Sequence, residues 1–318
     1  MTNKKTIALI FGGISSEREV SLNSGRQVLE ALDKNKYEVV TYDPKTDIPR
    51  LVNDAPGIDC ALIILHGPYG EDGTVQGLLD LLDIPYQGAG VLGSAVAMNK
   101  LLSKHLYEKA GLTVPPYELA QRGKTAAVDR IVEQLGLPLV VKPVETGSSV
   151  GMSIVRETAS LGTAIEKALE FGATAMIEAF IDGTEITCGV LGNQEPEALP
   201  LIEIIPGDKY EFFDYEAKYQ PGATEEICPA RIDAQLTAKA QACAIAAHKA
   251  LYCQGYSRTD MILKDGVFHV LETNTIPGMT ATSLFPQSAR AAGLSFSQLL
   301  DRLIELGMEA RRSRTTKG

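Results

Sequence analysis

Four polar side chains bracket two apolar runs in the last quarter of the chain. Arg258 and Asp260 precede Met261–Leu263; Glu272 and Asn274 lie just past Val267–Leu271, and Asp265-Gly266 sits between the runs. An Asp-Gly pair between β-rich runs is a hairpin signal, and pairing would bring the polar ends together. Asp, Glu and Asn offer hard oxygen ligands suited to Mg²⁺ bridging nucleotide phosphates. A carboxylate pair on a solvated sheet edge would look the same, but Asn274 and the adjacent Pro277-Gly278 loop favour a site. Parity adds a condition. Asp260 and Glu272 are twelve positions apart, and strand side chains alternate faces. A two-residue turn at Asp265-Gly266 sends the two carboxylates to opposite faces. A shared site therefore predicts a three-residue connection, Lys264-Asp265-Gly266, with Gly266 left-handed.

Other stretches carry complementary chemistry. Glu145–Ser153 is rich in Gly and Ser and lies between two β runs. Its N–H groups could cradle phosphates, although a plain hairpin turn has the same composition. It lacks the G-x-x-x-x-G-K-[ST] spacing of a P-loop. Lys100, Lys142 and Lys218 are candidate phosphate cations. Residues 205–224 form a long polar stretch with several aromatics, which reads as a lid rather than a disordered segment. No Ser-His-Asp or Cys-His arrangement can be placed. Metal ligands, cradle, cations and lid together are the parts of phosphoryl transfer.

The elements that must position these groups follow from periodicity. Thr6–Phe11, Tyr37–Tyr42 and Cys60–His66 read as strands alternating with helices, the first helix starting near Glu17 with a Ser16/Glu19 capping box. This predicts an α/β fold whose first unit is a doubly wound parallel sheet. Gly12, Gly13, Glu17 and His66 then gather at the carboxyl ends of the strands. A helix from Ser94 to Ala110, strands Leu139–Pro143 and Ala175–Ala179, and helix Thr158–Phe171 form a second unit. From Asp182 the pattern becomes antiparallel, α+β in character, with an Ala-rich core helix over Ile232–Tyr252 and short helices Phe285–Ala292 and Phe296–Gly307. The expected division is 1–93, 94–181 and 182–318. Gly88–Gly93 matches G-x-G-x-x-G but does not open the first βαβ unit, and reads as a tight turn rather than a dinucleotide site.

Composition narrows the classes. The 318 residues carry a formal net charge of −10, which argues against nucleic acid as partner. Arg311, Arg312, Arg314 and Lys317 read as a solvated tail. Five scattered cysteines without a C-x-x-C pair fit reduced thiols in the cytoplasm. The apolar run Ile7–Phe11 is too short for a secretion signal, and no run approaches a membrane span.

Five motifs in order resemble those of the D-alanine–D-alanine ligases of the ATP-grasp superfamily. They are Gly-Gly-Ile-Ser-Ser-Glu-Arg-Glu-Val-Ser (12–21), His-Gly-Pro-Tyr-Gly-Glu-Asp-Gly (66–73), Gly-Ser-Ser-Val-Gly-Met-Ser (147–153), Asp-Tyr-Glu-Ala-Lys-Tyr (214–219) and Glu-Thr-Asn-Thr-Ile-Pro-Gly-Met-Thr (272–280). The resemblance implies a three-domain ATP-grasp fold. It also implies ligation of two D-alanine molecules through an acyl phosphate, with ATP as cosubstrate, two Mg²⁺ ions (or Mn²⁺), a homodimer and a place in peptidoglycan precursor synthesis. Its implied metal ligands are Asp260, Glu272 and Asn274. Lys100, Lys142, Ser149 and Lys218 would meet phosphates, and Glu178 and Glu185 would flank the adenosine. Glu17 would pair with the first D-alanine's ammonium, beside His66. Ser148 and Tyr219 would hydrogen-bond around Glu17, Arg258 and Gly278 would stabilise the oxyanion, and Ser283 and Leu284 would bind the second substrate's carboxylate. The sequence departs from the commoner pattern at Ala179, Asn99, Phe213, Thr273 and Ile276, the last two replacing smaller residues. D-alanyl-D-lactate or D-alanyl-D-serine synthesis is the alternative within the resemblance, and a nicotinamide dehydrogenase a remote one outside it.

Overall fold

The computed structural model describes residues 4–147, 149–207 and 224–315. Ser148, Lys218, Tyr219, the 214–219 motif, Phe213 and most of the expected lid lie outside the described residues, as does Lys317. No side chain is described for Arg314.

The first sheet has strand order β2-β1-β3, all parallel: β1 (Lys5–Phe11), β2 (Tyr37–Tyr42) and β3 (Cys60–Ile64). Ile7–Ile10 is fully buried because both faces of the sheet are covered, as parallel sheets require. Ile7 and Leu9 pack with Val28 of α1 (Arg18–Ala31) and Leu303 of α10 (Phe296–Thr315). Ala8 and Ile10 face Leu51 of α2 (Ile48–Asp54) and Leu79 of α3 (Thr74–Leu81). The expected doubly wound sheet is therefore present.

The second sheet has order β4-β7-β5-β6, all antiparallel: β4 (Tyr117–Gln121), β5 (Leu139–Pro143), β6 (Ser153–Val155) and β7 (Thr174–Ala179). Helices α6 (Val128–Leu135) and α7 (Thr158–Glu170) cover one face through Ile131, Leu161 and Ile165. The third sheet runs β11-β10-β8-β12-β13, with β9 beside β8. Its strands are β8 (Thr184–Leu191), β9 (Glu197–Ala198), β10 (Ile202–Pro206), β11 (Thr224–Ile227), β12 (Tyr256–Lys264) and β13 (Val267–Asn274). It packs on the Ala-rich helix α8 (Ala234–Ala250) through Ala240, Ala244 and Ala247. Helices α4 (Val91–Met98) and α5 (Lys100–Lys109) join this core, α5 by Tyr107. Helix α9 (Leu284–Ala291) lies against β8.

Four local expectations are corrected. Ser94–Ala110 is not one helix: Asn99 leaves helical geometry and its side chain accepts from the Leu102 N–H at 3.1 Å, capping α5. The Ser16/Glu19 capping box does not form. Glu17 is the N-cap of α1, without a side-chain cap bond among the described residues, and the Ser15 hydroxyl accepts its N–H at 3.2 Å. The basic C-terminal stretch is not a solvated tail through Arg311, because α10 continues to Thr315 and Arg311 pairs with Asp83.

The fourth correction concerns the focal hairpin. Lys264 pairs with Val267, so the turn has two residues, with Asp265 at φ 50° and Gly266 at φ 74°. Two left-handed residues match the twist of the flanking strands. Parity is repaired elsewhere. The register shifts between Asp260 and Met261, so Met261 faces Val270 while Asp260 faces Glu272. Leu271 is the extra residue of a β-bulge, which puts both carboxylates on one face. An added Cβ on Gly266 would meet no described atom within 4 Å, so substitution there is penalised by backbone conformation alone. Gly266→Ala is expected to cost about 1–2 kcal/mol, measured by urea unfolding.

Candidate active site

Two cavities meet between the sheets. The first lies between β5–β7 and β8–β12–β13. Val140, Ile154, Ile262 and Leu271 form its apolar walls, with Lys142, Ser149, Glu178, Glu185 and Asp260 among its polar lining. The second, about 570 Å³, is bounded by the first sheet's loops and the 274–284 segment. It is lined by Glu17, His66, Arg258, Asn274, Gly278, Ser283 and Leu284. Lys100, Thr146 and Glu272 line both. Every described residue named above as a site residue thus borders one cavity or the other.

Asp260 anchors the junction. It is 5% exposed, and buried carboxylates require partners. Thr187 Oγ1 donates to Oδ1 at 2.6 Å, Arg258 donates from Nε and Nη2 at 2.9 and 2.8 Å, and Asn274 Nδ2 donates to Oδ2 at 3.1 Å. Arg258, expected at an oxyanion, thus rests bidentate on a candidate metal ligand. Glu272 lies 4.0 Å from the Lys100 ammonium, which also donates to the Thr146 carbonyl. Below the strands Tyr107 donates to Thr273 at 2.7 Å, and Thr273 shares a 3.0 Å bond with Thr259. The larger Thr273 therefore supplies a hydroxyl link from α5 to the sheet.

The donor set suits a hard divalent cation. Asp260 and Glu272 face one another and Asn274 touches Asp260. No group of three His, Cys, Asp or Glu side chains could hold a metal among the described residues. Such a partial set matches Mg²⁺, which keeps waters and uses substrate phosphates instead of an all-protein cage.

Glu178 floors the first cavity in a buried ion triad. Lys104 Nζ and Lys142 Nζ each lie 2.8 Å from one of its carboxylate oxygens, and Lys104 is fully buried. Burial raises the Glu178 pKa, but Lys142 and Lys104 outweigh it and hold the carboxyl below its ordinary range. For Lys104 burial is the larger influence, and its ammonium titrates below the usual lysine range.

Glu17 stands where two loops approach. Its Oε2 would lie 2.7 Å from a Cβ on Gly67, so a side chain there would crowd it, and 3.5 Å, ordinary contact, from one on Gly147. The Gly12-Gly13 turn that leads to it is held by Asp43, which accepts from Gly13 N–H at 2.9 Å and pairs with Arg18 at 2.6 Å. His66 is buried, which pulls its imidazole down to about 4, so the ring is neutral near neutral pH. Ser283 accepts from the Thr280 N–H at 3.1 Å and shares a 2.7 Å bond with the Thr280 hydroxyl, which fixes it beside Gly278.

Four lining or supporting residues escaped the sequence reading: Glu71, Lys104, Thr187 and Glu226. Glu71 lay inside a quoted motif. Lys104 and Thr187 sit at ordinary positions in a helix and a strand and offered no signal.

Two antiparallel sheets closing on a cavity, with Lys142 on one and Asp260 and Glu272 on the other, form the ATP-grasp architecture. Family models agree. The D-ala D-ala ligase C-terminus model matches residues 106–305, and the N-terminus model matches 6–49 and 45–89. A curated D-alanine–D-alanine ligase from Syntrophobacter fumaroxidans is 61% identical over 308 residues, covering 97% of this chain and 99% of the relative. Among solved structures, a D-alanine–D-alanine ligase from Bacillus anthracis complexed with ATP superposes with a TM-score of 0.85 at 38% identity, covering 98% and 99% of the two chains. A D-Ala:D-Ser ligase from Enterococcus faecalis gives a TM-score of 0.82 at 35% identity, covering 96% and 100%. The chain belongs to the D-alanine–D-alanine ligase family.

The ion triad yields a test. Glu178 stabilises the fold above its unfolded pKa, and that contribution is lost as pH falls through its lower folded value. Lys104→Met leaves the buried carboxylate with one lysine and is expected to cost about 3–5 kcal/mol at neutral pH. The penalty should shrink under acid conditions, where the poorly compensated carboxyl takes a proton. Urea unfolding at neutral and mildly acid pH measures both effects.

Proposed function

We propose that the chain ligates two D-alanine molecules to D-alanyl-D-alanine, converting ATP to ADP and phosphate, as a step of peptidoglycan precursor synthesis. One observation carries the reading: the two cavities share Lys100 and Glu272. A nucleotide in the first would direct its terminal phosphate at a carboxylate in the second.

The chemistry follows from that contact. A carboxylate oxygen of the first D-alanine attacks the terminal phosphorus, and the bond to ADP breaks. The resulting acyl phosphate is a good electrophile where a carboxylate is a poor one. The second D-alanine's amine attacks the acyl carbon and loses a proton, and the C–O bond to phosphate breaks. Val140, Ile154 and Leu271 would sandwich the adenine, with Glu178 and Glu185 at its polar edges. Lys100, Lys142 and Ser149 face the phosphate end. Asp260, Glu272 and Asn274 would hold Mg²⁺, or Mn²⁺ through the same oxygen donors; the ion would offset phosphate charge. Glu17 and His66 would receive the first substrate, and Ser283 and Leu284 the second substrate's carboxylate. Arg258 and the Gly278 N–H would face the developing oxyanion, Arg258 by leaving Asp260 in part. A cytoplasmic homodimer belongs to the same reading. The roles expected of Ser148, Lys218 and Tyr219 do not enter it. Among the described residues no helix is long and apolar enough to cross a membrane.

The direct assay supplies ATP, Mg²⁺ and D-alanine, D-serine or D-lactate, and follows phosphate and product. D-alanyl-D-alanine should dominate, with stoichiometric phosphate. A preference for D-lactate or D-serine would assign the alternative. Glu272→Gln should lower turnover on the order of 10²–10³-fold with the melting curve preserved; near-parental activity with Mg²⁺ would remove Glu272 from the metal set.

A further inference from the structure

The loop that brings Gly278 to the second cavity is fastened to a different part of the molecule. Ile276 follows β13 in the third sheet's chain segment, yet its side chain, 3% exposed, lies in the core on the first sheet's second face. There it joins the cluster containing Ile10, Ile63, Leu65 and Val75. Its backbone is gripped from the same side. The His66 ring and the Glu71 carboxyl both lie against the Ile276 backbone. Glu71 Oε2 also accepts the Gly67 N–H at 2.7 Å. One carboxylate therefore ties the turn after β3 to the loop after β13. Glu71 lines the second cavity but pairs with no cation in the structure as described. Burial, with Glu17's charge adding, pushes it up to about 8.

We propose that Ile276 and Glu71 are positioning residues forming one clamp, which fixes the Thr275–Gly278 loop against the first sheet so that Gly278 and Asn274 face both substrates. The inference rests on the ligation proposed above and extends it to two residues of the second cavity's wall that no step of that chemistry uses. The shape of the contact explains why a branched aliphatic residue stands at 276: a small polar residue would leave the core cluster without its peg. Two attachments of different kinds, apolar side chain and hydrogen-bonded backbone, fix both position and rotation of the loop.

The test uses the full chain with Ile276→Val, Ile276→Ala, Glu71→Gln, Glu71→Leu and the Glu71→Gln/Ile276→Ala double variant. Steady-state dipeptide synthesis gives kcat and the KM for ATP and D-alanine, and hydrogen exchange follows the Thr275–Gly278 amides. Misplacing reacting groups by about an ångström can cost roughly 10²-fold. Ile276→Ala and Glu71→Leu should therefore lower kcat on the order of 10–10²-fold, with the KM for ATP changed by less than about threefold. Both should speed exchange at residues 275–278, and Ile276→Val should restore most of the rate. Because the two residues serve one clamp, the double variant should lose less than the product of the single losses. Unchanged kcat per folded molecule in both single variants, or multiplicative losses in the double, would overturn the clamp. Glu71→Gln keeps the test open should Ile276→Ala or Glu71→Leu fail to fold. A parent that forms no dipeptide would refute the ligation instead, while the exchange measurement still decides the clamp.

Discussion

The site depends on one irregularity in strand pairing. From Lys264↔Val267 to Met261↔Val270 the hairpin keeps a single register, and continuing it would set Leu271 opposite Asp260. Glu272 would then point to the far face, into the helix-packed side of the sheet. The bulge at Leu271 shifts the count by one and opposes Glu272 to Asp260. Leu271 and Glu272 both line the first cavity, although they are neighbours on a strand, where alternation would separate them. The bulge thus yields an apolar wall and a carboxylate proposed to hold the metal from adjacent residues. It also lets the turn keep Asp265-Gly266, the pair best matched to strand twist.

The second constraint is electrostatic. A chain of net charge −10 concentrates carboxylates where a nucleotide polyanion and the carboxylates of zwitterionic amino acids must enter. The structure answers by assigning cations to buried and half-buried acids. Glu178 has Lys104 and Lys142, Asp260 has Arg258, and Glu272 has Lys100. Two of these pairs hold groups expected to serve substrate, Arg258 and Lys100. Pairing within the protein stabilises each partner and pre-aims it at the junction, so a bound phosphate would exchange one anion for another instead of ordering a solvated side chain. Lys104 differs. It is fully buried, approaches the Pro115 carbonyl at 3.4 Å and lies over the Tyr117 ring, which makes it a fixed support for Glu178.

Much of this was legible in the sequence, for identifiable reasons. The strand Thr6–Phe11 was readable because an unbroken apolar run has few other destinations. The hairpin was readable because Asp-Gly turns are chemically specific. Parity even exposed that something irregular must occur between Asp260 and Glu272. It placed the irregularity in the turn because a bulge leaves no composition signal: Leu271 is an ordinary strand residue. The break at Asn99 was hidden for the opposite reason, since Asn inside a helical run reads as a mild penalty until its side chain is seen capping Lys100–Lys109. Lys104 and Thr187 act through partners more than sixty residues away, and no local pattern reports such contacts.

The crossing of segments between cores explains why the site lies where it does. The C-terminal helix α10 packs on the first sheet through Leu299, Leu300, Leu303 and Ile304. Tyr107, from a helix that precedes the central sheet in sequence, packs in the third sheet's core. Ile276 enters the first sheet's core from the third. First and third sheets are therefore joined by buried apolar contacts, whereas the central sheet touches the third sheet's core at Tyr117 and otherwise faces it across the first cavity, between apolar walls and the polar groups at the junction. Apolar burial resists separation in proportion to the area withheld from water, and a solvent-lined cavity does not. The more extensive apolar joint lies beside the second cavity, proposed for the amino acids, and the lesser one beside the first, proposed for the nucleotide. A reaction that must align two amino acids within bond-forming distance gains from rigidity at the former joint, and a nucleotide that must enter and leave gains from compliance at the latter.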